Sequence, residues 1–235
     1  MVLLIAAVGG CLGHRRLLYF PSHEEGETDL TQWKEEDKVI GFASERSDPT
    51  GVWLMLHGNG GQASHRGYVR QRMKESDALY VLEYPGYGAR AGKPSREAFN
   101  AAAAEALAIL RERFPDKPLG VIGESIGSGP ASWLGSQPET PDKIVLMVPF
   151  DRLENVAKQK YPYLPVGWVL RDKWDNGAAL ADYRGALEIY AAKEDQIIPV
   201  DHAQELAKQL PRAKIQILPG GHNAWSYQEE LEIRF

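Results

Sequence analysis

The sequence predicts an α/β protein: a mostly parallel sheet of about eight strands with helices on both faces and a small cap insertion. Three observations lead there. Short apolar runs rich in β-branched and aromatic residues alternate along the chain with stretches of helical period. Those runs are almost continuously hydrophobic rather than alternating, as expected of strands covered on both faces. The chain has 235 residues, which at roughly 100–200 residues per domain suits one generous core.

The elements follow in order. Residues 19–46 leave room for an antiparallel strand or two, through VIGFASE. The predicted buried strands are VWLMLH at 52–57, ALYVLEY at 78–84, LGVIG at 119–123, KIVLMVP at 143–149, LEIYAA at 187–192 and AKIQIL at 213–218. REAFNAAAAEALAILRERF at 96–114 reads as a helix, with Ser95 as N-cap and Pro115 as the stop. DHAQELAKQL at 201–210, ended by Pro211, reads as another. No repeat of 20–50 residues and no low-complexity stretch beyond the Ala run 101–104 breaks this alternation. A short closing helix is expected from about Gln228, since the sequence ends at Phe235.

Composition excludes several functions. With 27 Lys and Arg against 32 Asp and Glu, the net charge is −5, and without a basic run there is little to bind nucleic acid. A single cysteine, Cys11, rules out an intramolecular disulfide framework and cysteine-rich metal sites. Residues 1–18 form an apolar N-terminal segment ahead of one domain, 19–235. Its uncharged part, MVLLIAAVGGCLG at 1–13, reaches only about 20 Å as a helix, short of a ~30 Å hydrocarbon core. Val8-Gly9-Gly10-Cys11 has the form of a bacterial lipobox, whose cysteine is acylated. The absence of a basic n-region and the presence of His14-Arg15-Arg16 after the run weigh against export. A lipoprotein or membrane anchor, a membrane-surface helix and a segment packed on the domain all remain open readings. The lean is towards a cell-envelope or membrane-associated protein, with the cytoplasm as alternative.

Chemistry concentrates at the ends of the predicted strands. Gly123-Glu124-Ser125-Ile126-Gly127 satisfies G-x-S-x-G directly after LGVIG and before the small-residue segment SGPASWLG. A serine at a tight strand-to-helix turn presents its hydroxyl at the carboxyl edge of the sheet, above a helix N-terminus that favours negative charge. A serine nucleophile needs a base, and the base a carboxylate. His222 follows the last strand on the glycine-rich loop Pro219-Gly220-Gly221-His222-Asn223. After LEIYAA come Glu194 and Asp195; Asp195 is preferred, with Glu194 the fallback. The order Ser125, Asp195, His222 is that of α/β-hydrolases. His57-Gly58-Asn59-Gly60-Gly61 offers backbone donors for an oxyanion, from Asn59, with Ile126 as the second. His57 itself is read as structural. His14, His23, His65 and His202 read as ordinary surface or helix residues, and no carboxylate has metal-ligand spacing.

HGNGG at 57–61, EYPGYG at 83–88, GESIGSG at 123–129, KEDQIIP at 193–199 and GGHN at 220–223 together resemble the Bem46/ABHD13-type serine hydrolases of the α/β-hydrolase superfamily. RRLLYFPS at 15–22 is similar to that family as well, whose members often carry an N-terminal membrane segment. The resemblance implies the α/β-hydrolase fold, with Ser125 as nucleophile, Asp195 as acid, His222 as base, and Asn59 with Ile126 as the oxyanion hole. Glu124 and the YPGYG loop match family positions and are given a structural or pocket-shaping role.

The insertion at about 150–186 carries Tyr161, Tyr163, Leu164, Val166, Trp168, Val169, Leu170 and Trp174, with Pro162 and Pro165 interrupting any long helix. It either covers the site with an apolar wall, in which case Trp168, Tyr163 and Leu164 are the substrate-binding candidates, or packs onto the sheet. The expected activity is two-step hydrolysis of carboxylic esters, of lipid or acyl-thioester type among them, without cofactor or metal, by a monomer. The alternatives are a serine peptidase or amidase of the same fold and a catalytically silent binding protein.

Overall fold

The computed structural model describes residues 15, 16, 18–24 and 27–235. The apolar run 1–13, with Cys11, lies outside them, so the lipobox reading does too. The strands are β1 (Phe20–Pro21), β2 (Thr31–Glu35), β3 (Lys38–Ser44), β4 (Val52–Leu56), β5 (Gly60–Gly61), β6 (Ala78–Leu82), β7 (Leu119–Glu124), β8 (Lys143–Met147), β9 (Ala186–Ala192) and β10 (Lys214–Leu218). Eight of them form one sheet in the order β10-β9-β8-β7-β4-β6-β3-β2. Only the β2–β3 and β3–β6 pairs are antiparallel. β1 and β5 form a separate two-stranded parallel ribbon.

Every residue of β4, β6, β7 and β8 is buried. Successive side chains of a strand point to opposite faces, so Val52, Leu54 and Leu56 join one core while Trp53 and Met55 join the other. Helix α1 (Arg96–Arg113) covers the first face through Phe99, Ala102, Ala103, Ala106, Leu107 and Leu110, the spacing of one helical stripe. Ser95 caps it, its hydroxyl accepting the Ala98 N–H at 3.0 Å. The remaining helices are α2 (Ser128–Leu134), α3 (Leu153–Lys160), α4 (Val166–Val169), α5 (Asn176–Leu180) and α6 (Val200–Gln209). Among the described residues no helix is long and apolar enough to cross a membrane.

Two expectations fail, each for a local reason. β10 is not covered on both faces: it is an edge strand, with Ile215 and Ile217 exposed. The C-terminus contains no closing helix from Gln228. In Glu230-Leu231-Glu232-Ile233-Arg234-Phe235 the apolar residues recur every second position, an extended pattern. Accordingly Leu231 and Ile233 are buried on the second face, the Ile233 N–H donates to Arg72 O at 2.7 Å, and the Phe235 ring lies 4.3 Å from that of Trp53. A 3₁₀ stretch over Ala63–Arg72 shares this face.

The register positions the chemistry. Leu56 pairs with Gly123 on β7 and with Leu82 on β6, so His57, Glu83 and Ser125 leave the sheet at one edge. Leu218 pairs with Ala192, which brings the loops after β9 and β10 to the same edge.

Candidate active site

Ser125 has φ of 53°, in the left-handed region, where a non-glycine residue is uncommon. Its neighbours make the turn possible. A Cβ on Gly127 would overlap the Leu56 carbonyl oxygen, and one on Gly123 would lie 2.6 Å from the Ala131 methyl. Two glycines thus let β7 turn into α2 directly beneath the serine. The Ser128 hydroxyl donates to Ser125 O at 2.6 Å, and the Asn176 amide donates to Ser128 Oγ at 3.0 Å, bracing the turn from below.

His222 approaches from the loop after β10, where Gly220 has φ of 92°. Its Nε2 is 3.0 Å from Ser125 Oγ and its Nδ1 2.7 Å from Asp195 Oδ2. The other Asp195 oxygen accepts the N–H groups of Ile197 and Ile198 at 2.8 and 2.9 Å, which fixes the buried carboxylate. An ionised carboxylate only accepts, so Nδ1 carries the proton and Nε2 is left to accept the serine hydroxyl. Glu194 has a different position: its carboxylate accepts the Gly220 N–H, and its own N–H donates to Gly220 O at 3.0 Å. It clips the histidine loop in place.

The loop from His57 to Gly61 is held on two sides. Behind it, the buried Glu124 carboxylate accepts the Gly58 N–H at 2.8 Å, Arg66 Nε at 3.0 Å and the Tyr68 hydroxyl at 3.3 Å. Burial alone would raise the pKa of Glu124; the Arg66 guanidinium and the Gly58 N–H outweigh it and hold it below the ordinary carboxylate value. In front, the Asn59 side chain donates to Leu18 O at 2.5 Å and accepts from Phe20 N–H at 3.1 Å and the Tyr87 hydroxyl at 2.9 Å. β1, which follows, pairs with β5, so the N-terminal strand clamps this loop. His57 is fully buried behind it, Nδ1 2.7 Å from Gly58 O and Nε2 3.4 Å from Glu83 Oε1, and does not reach the cleft. The Arg66–Glu124–Tyr68 network and the Asn59 clamp join residues too far apart in sequence for any local pattern to pair them. Arg66 and Tyr68 sit in a stretch, GQASHRGYVRQR, whose sequence reads as polar surface.

A cleft of about 640 Å³ opens over Ser125 and His222, lined also by Phe20, Asn59, Arg66, Tyr68, Glu124, Lys160, Ile197, Trp225 and Tyr227. It is mixed in character: aromatic and aliphatic walls, the Arg66–Glu124 ion pair, and Lys160. Trp168, Tyr163 and Leu164, the expected substrate-binding residues, do not line it. The segment between β8 and β9 divides instead. Val166, Leu170 and Trp174 are buried, Trp174 donating to Asn100 Oδ1 at 3.0 Å. Trp168 and Tyr163 stand 92% and 97% exposed, because the Tyr161–Leu164 turn and the single turn of α4 aim them away from the domain. His202 lies on helix α6, as one of its two readings expected, and is buried there, with Nδ1 2.7 Å from Asp151 Oδ1 and Nε2 2.9 Å from Gln159 Oε1. Among the described residues no group of three or more His, Cys, Asp or Glu could hold a metal ion.

No family model matches the chain. An uncharacterized protein of Mycobacterium tuberculosis is 27% identical over 228 residues, covering 89% of this chain and 80% of its own length. Lysophosphatidylserine lipase ABHD12 of Xenopus tropicalis is 27% identical over 195 residues, 72% of this chain and 50% of the lipase; the chain thus spans about half the length of that relative. Among solved structures, the Pyrococcus furiosus esterase Pf2001 superposes with a TM-score of 0.67 at 17% identity, over 87% of this chain and 91% of the esterase. The fold is that of the α/β-hydrolases.

Proposed function

We propose that this protein is a serine hydrolase that cleaves carboxylic esters through a covalent acyl-enzyme. One observation carries the reading: the unbroken hydrogen-bonded sequence Asp195–His222–Ser125, ending on a serine in left-handed backbone at the carboxyl edge of the sheet. In this reading His222 Nε2 takes the Ser125 proton as the hydroxyl attacks the ester carbonyl. The N–H groups of Asn59 and Ile126 receive the oxyanion. Asp195 holds the imidazole in the required tautomer and stabilises the imidazolium, which then protonates the leaving alcohol. A water, deprotonated by the same nitrogen, releases the acid and restores Ser125.

Residues 19–235 form the catalytic domain in this proposal, with 150–186 as its cap. The cleft's aromatic and aliphatic walls suit an ester with an acyl chain, its polar residues a polar end, and the lipase name of the relative of which this chain spans half supports a lipid ester. An acyl thioester would follow the same steps. On the motif set we assign the chain to the Bem46/ABHD13-type hydrolases.

The test is labelling with a fluorophosphonate probe, followed by turnover of p-nitrophenyl esters from acetate to palmitate beside an aminoacyl anilide. One labelled serine, lost in Ser125→Ala, and ester turnover above anilide turnover are expected. Labelling that survives in Ser125→Ala removes the nucleophile, and faster anilide cleavage makes the protein an amidase.

A further inference from the structure

The hairpin Tyr161–Val169 exposes a density of large apolar side chains that its folding does not require. Tyr163 and Trp168 are 97% and 92% exposed, Leu164 57% and Tyr161 50%. The buried Val166 and Leu170 anchor the same hairpin to the core, and the Lys173 ammonium donates to Gly167 O at 2.8 Å. The aromatics therefore stand on a secured base. Single exposed hydrophobic residues need no explanation, but a group within nine residues marks an interaction surface.

Charge and chain path identify the occupant. Between 151 and 175 there are five Lys or Arg and four Asp or Glu, a net charge of +1 in a chain whose net charge is −5. Glu154 pairs with Lys158 and Lys173, Asp175 with Arg152, and Asp172 with Arg15. Tyrosine and tryptophan beside lysines suit the boundary of a bilayer, where the rings enter the headgroup layer and cations meet anionic lipid. Arg15, the first described residue of the chain, lies at the same place. Arg15 binds Asp172 through Nε at 3.1 Å and Nη2 at 3.2 Å, and the Tyr19 hydroxyl donates to the same carboxylate at 3.1 Å. Asp172 is four residues past Trp168. Lys160, at the other end of the hairpin, lines the cleft.

We propose that the hairpin Tyr161–Val169 docks the protein on the surface of an anionic phospholipid bilayer, inserting Trp168, Tyr163 and Leu164 beside the point where the N-terminal apolar run joins the domain. The contact is peripheral, and it sets the mouth of the cleft against the headgroup layer.

The full-length chain is sedimented with vesicles of phosphatidylcholine and of phosphatidylcholine with one quarter phosphatidylglycerol. Stronger partition to the anionic vesicles is expected, falling at least about tenfold in the triple variant Tyr163→Ser, Leu164→Ser, Trp168→Ser, from the loss of inserted apolar surface. Brominated lipid should quench tryptophan emission in the wild type and lose that part of the quenching in Trp168→Phe. All three side chains being exposed, the triple variant should melt with the wild type and turn over soluble p-nitrophenyl butyrate at the same rate. That last readout separates failure of docking from failure of the proposed hydrolysis. Equal partition of wild type and triple variant overturns the proposal, since the N-terminal run then suffices for attachment. Equal partition to both vesicle types overturns its electrostatic part. A wild-type dimer that the triple variant converts to monomer, without vesicle binding, overturns it in favour of self-association.

Discussion

Two histidines in this molecule have the same immediate chemistry and opposite surroundings. His222 and His202 each direct Nδ1 at an aspartate oxygen 2.7 Å away. At His222 the far nitrogen meets a hydroxyl, Ser125 Oγ, held in left-handed backbone at the floor of a cleft. At His202 it meets the Gln159 carboxamide oxygen, and the arrangement ties the start of α6 to the β8–α3 loop and to α3. What sets the first apart is the third partner: a hydroxyl with open space above it, the nucleophile of the proposed reaction, where the second meets an amide oxygen inside the fold and makes a strut.

The sharpest way to break this comparison is to delete each imidazole. His222→Ala should lower kcat for p-nitrophenyl esters by roughly 10⁶-fold, as Ser125→Ala should, with little change in melting temperature. His202→Ala should leave kcat within about tenfold and lower Tm instead. Removing one partner of a buried pair costs about 3–5 kcal/mol, and at roughly 2–4 °C per kcal/mol for a chain of this size the drop is about 6–20 °C. A His202→Ala enzyme that melts normally but has lost turnover would show the two pairs to be functionally alike.

Replacing the carboxylates tests the same contrast with a smaller effect. Asp195→Asn should cost about 10⁴-fold in kcat, because an amide can donate to Nδ1 and leave the proton on the wrong nitrogen. Glu194→Gln keeps an oxygen for the Gly220 N–H and should cost under about tenfold. Equal losses at 194 and 195 would leave the acid unassigned. Asp151→Asn should be felt in stability, by about 1.5–3 kcal/mol as a hydrogen bond to a charged group is lost.

The smallest effect is in pH. Burial opposes ionisation of Asp151, yet hydrogen bonds from His202, the Arg152 N–H and Asn155 outweigh it and hold its pKa below the ordinary 3.8. A depressed carboxylate stabilises the fold fully above its unfolded pKa and loses that contribution as pH falls through its folded one. The Tm difference between wild type and Asp151→Asn should therefore be constant at neutral pH and begin to close below about 4. A difference that instead widens on acidification would reverse the assignment.

What could be read from the linear chain follows a pattern. The Gly123–Gly127 turn was legible because a strand, two glycines and a small-residue helix are local signals, and the positive φ of Ser125 is what that spacing permits. The paired loops after β9 and β10 were legible because strand order at a parallel edge constrains where loops end. The C-terminal tail departs from the expected closing helix because Leu231, Ile233 and Phe235 alternate with a period of two, which suits an extended chain. Arg66, Tyr68 and the Asn59 clamp left no trace, since their partners are far away in sequence: Arg66 and Glu124 are 58 residues apart, Asn59 and Leu18 41. The aromatic hairpin could be seen as hydrophobic, but not which way its members faced.

The sequence by itself determined the alternation of strand and helix, the glycine-permitted elbow at Ser125 and a short list of partners, Asp195 before Glu194 and His222 before the other histidines. Each rests on hydrophobic period and turn chemistry that act within a few residues. Only the tertiary structure decided that Glu194 is a clip, that His202 has a carboxylate of its own, that Glu124 stays ionised beside Arg66, and that Trp168 and Tyr163 turn outward rather than into the cleft. These depend on which groups share a buried volume once a chain of this topology closes, and burial, unlike period, is a property of contacts between segments far apart in sequence.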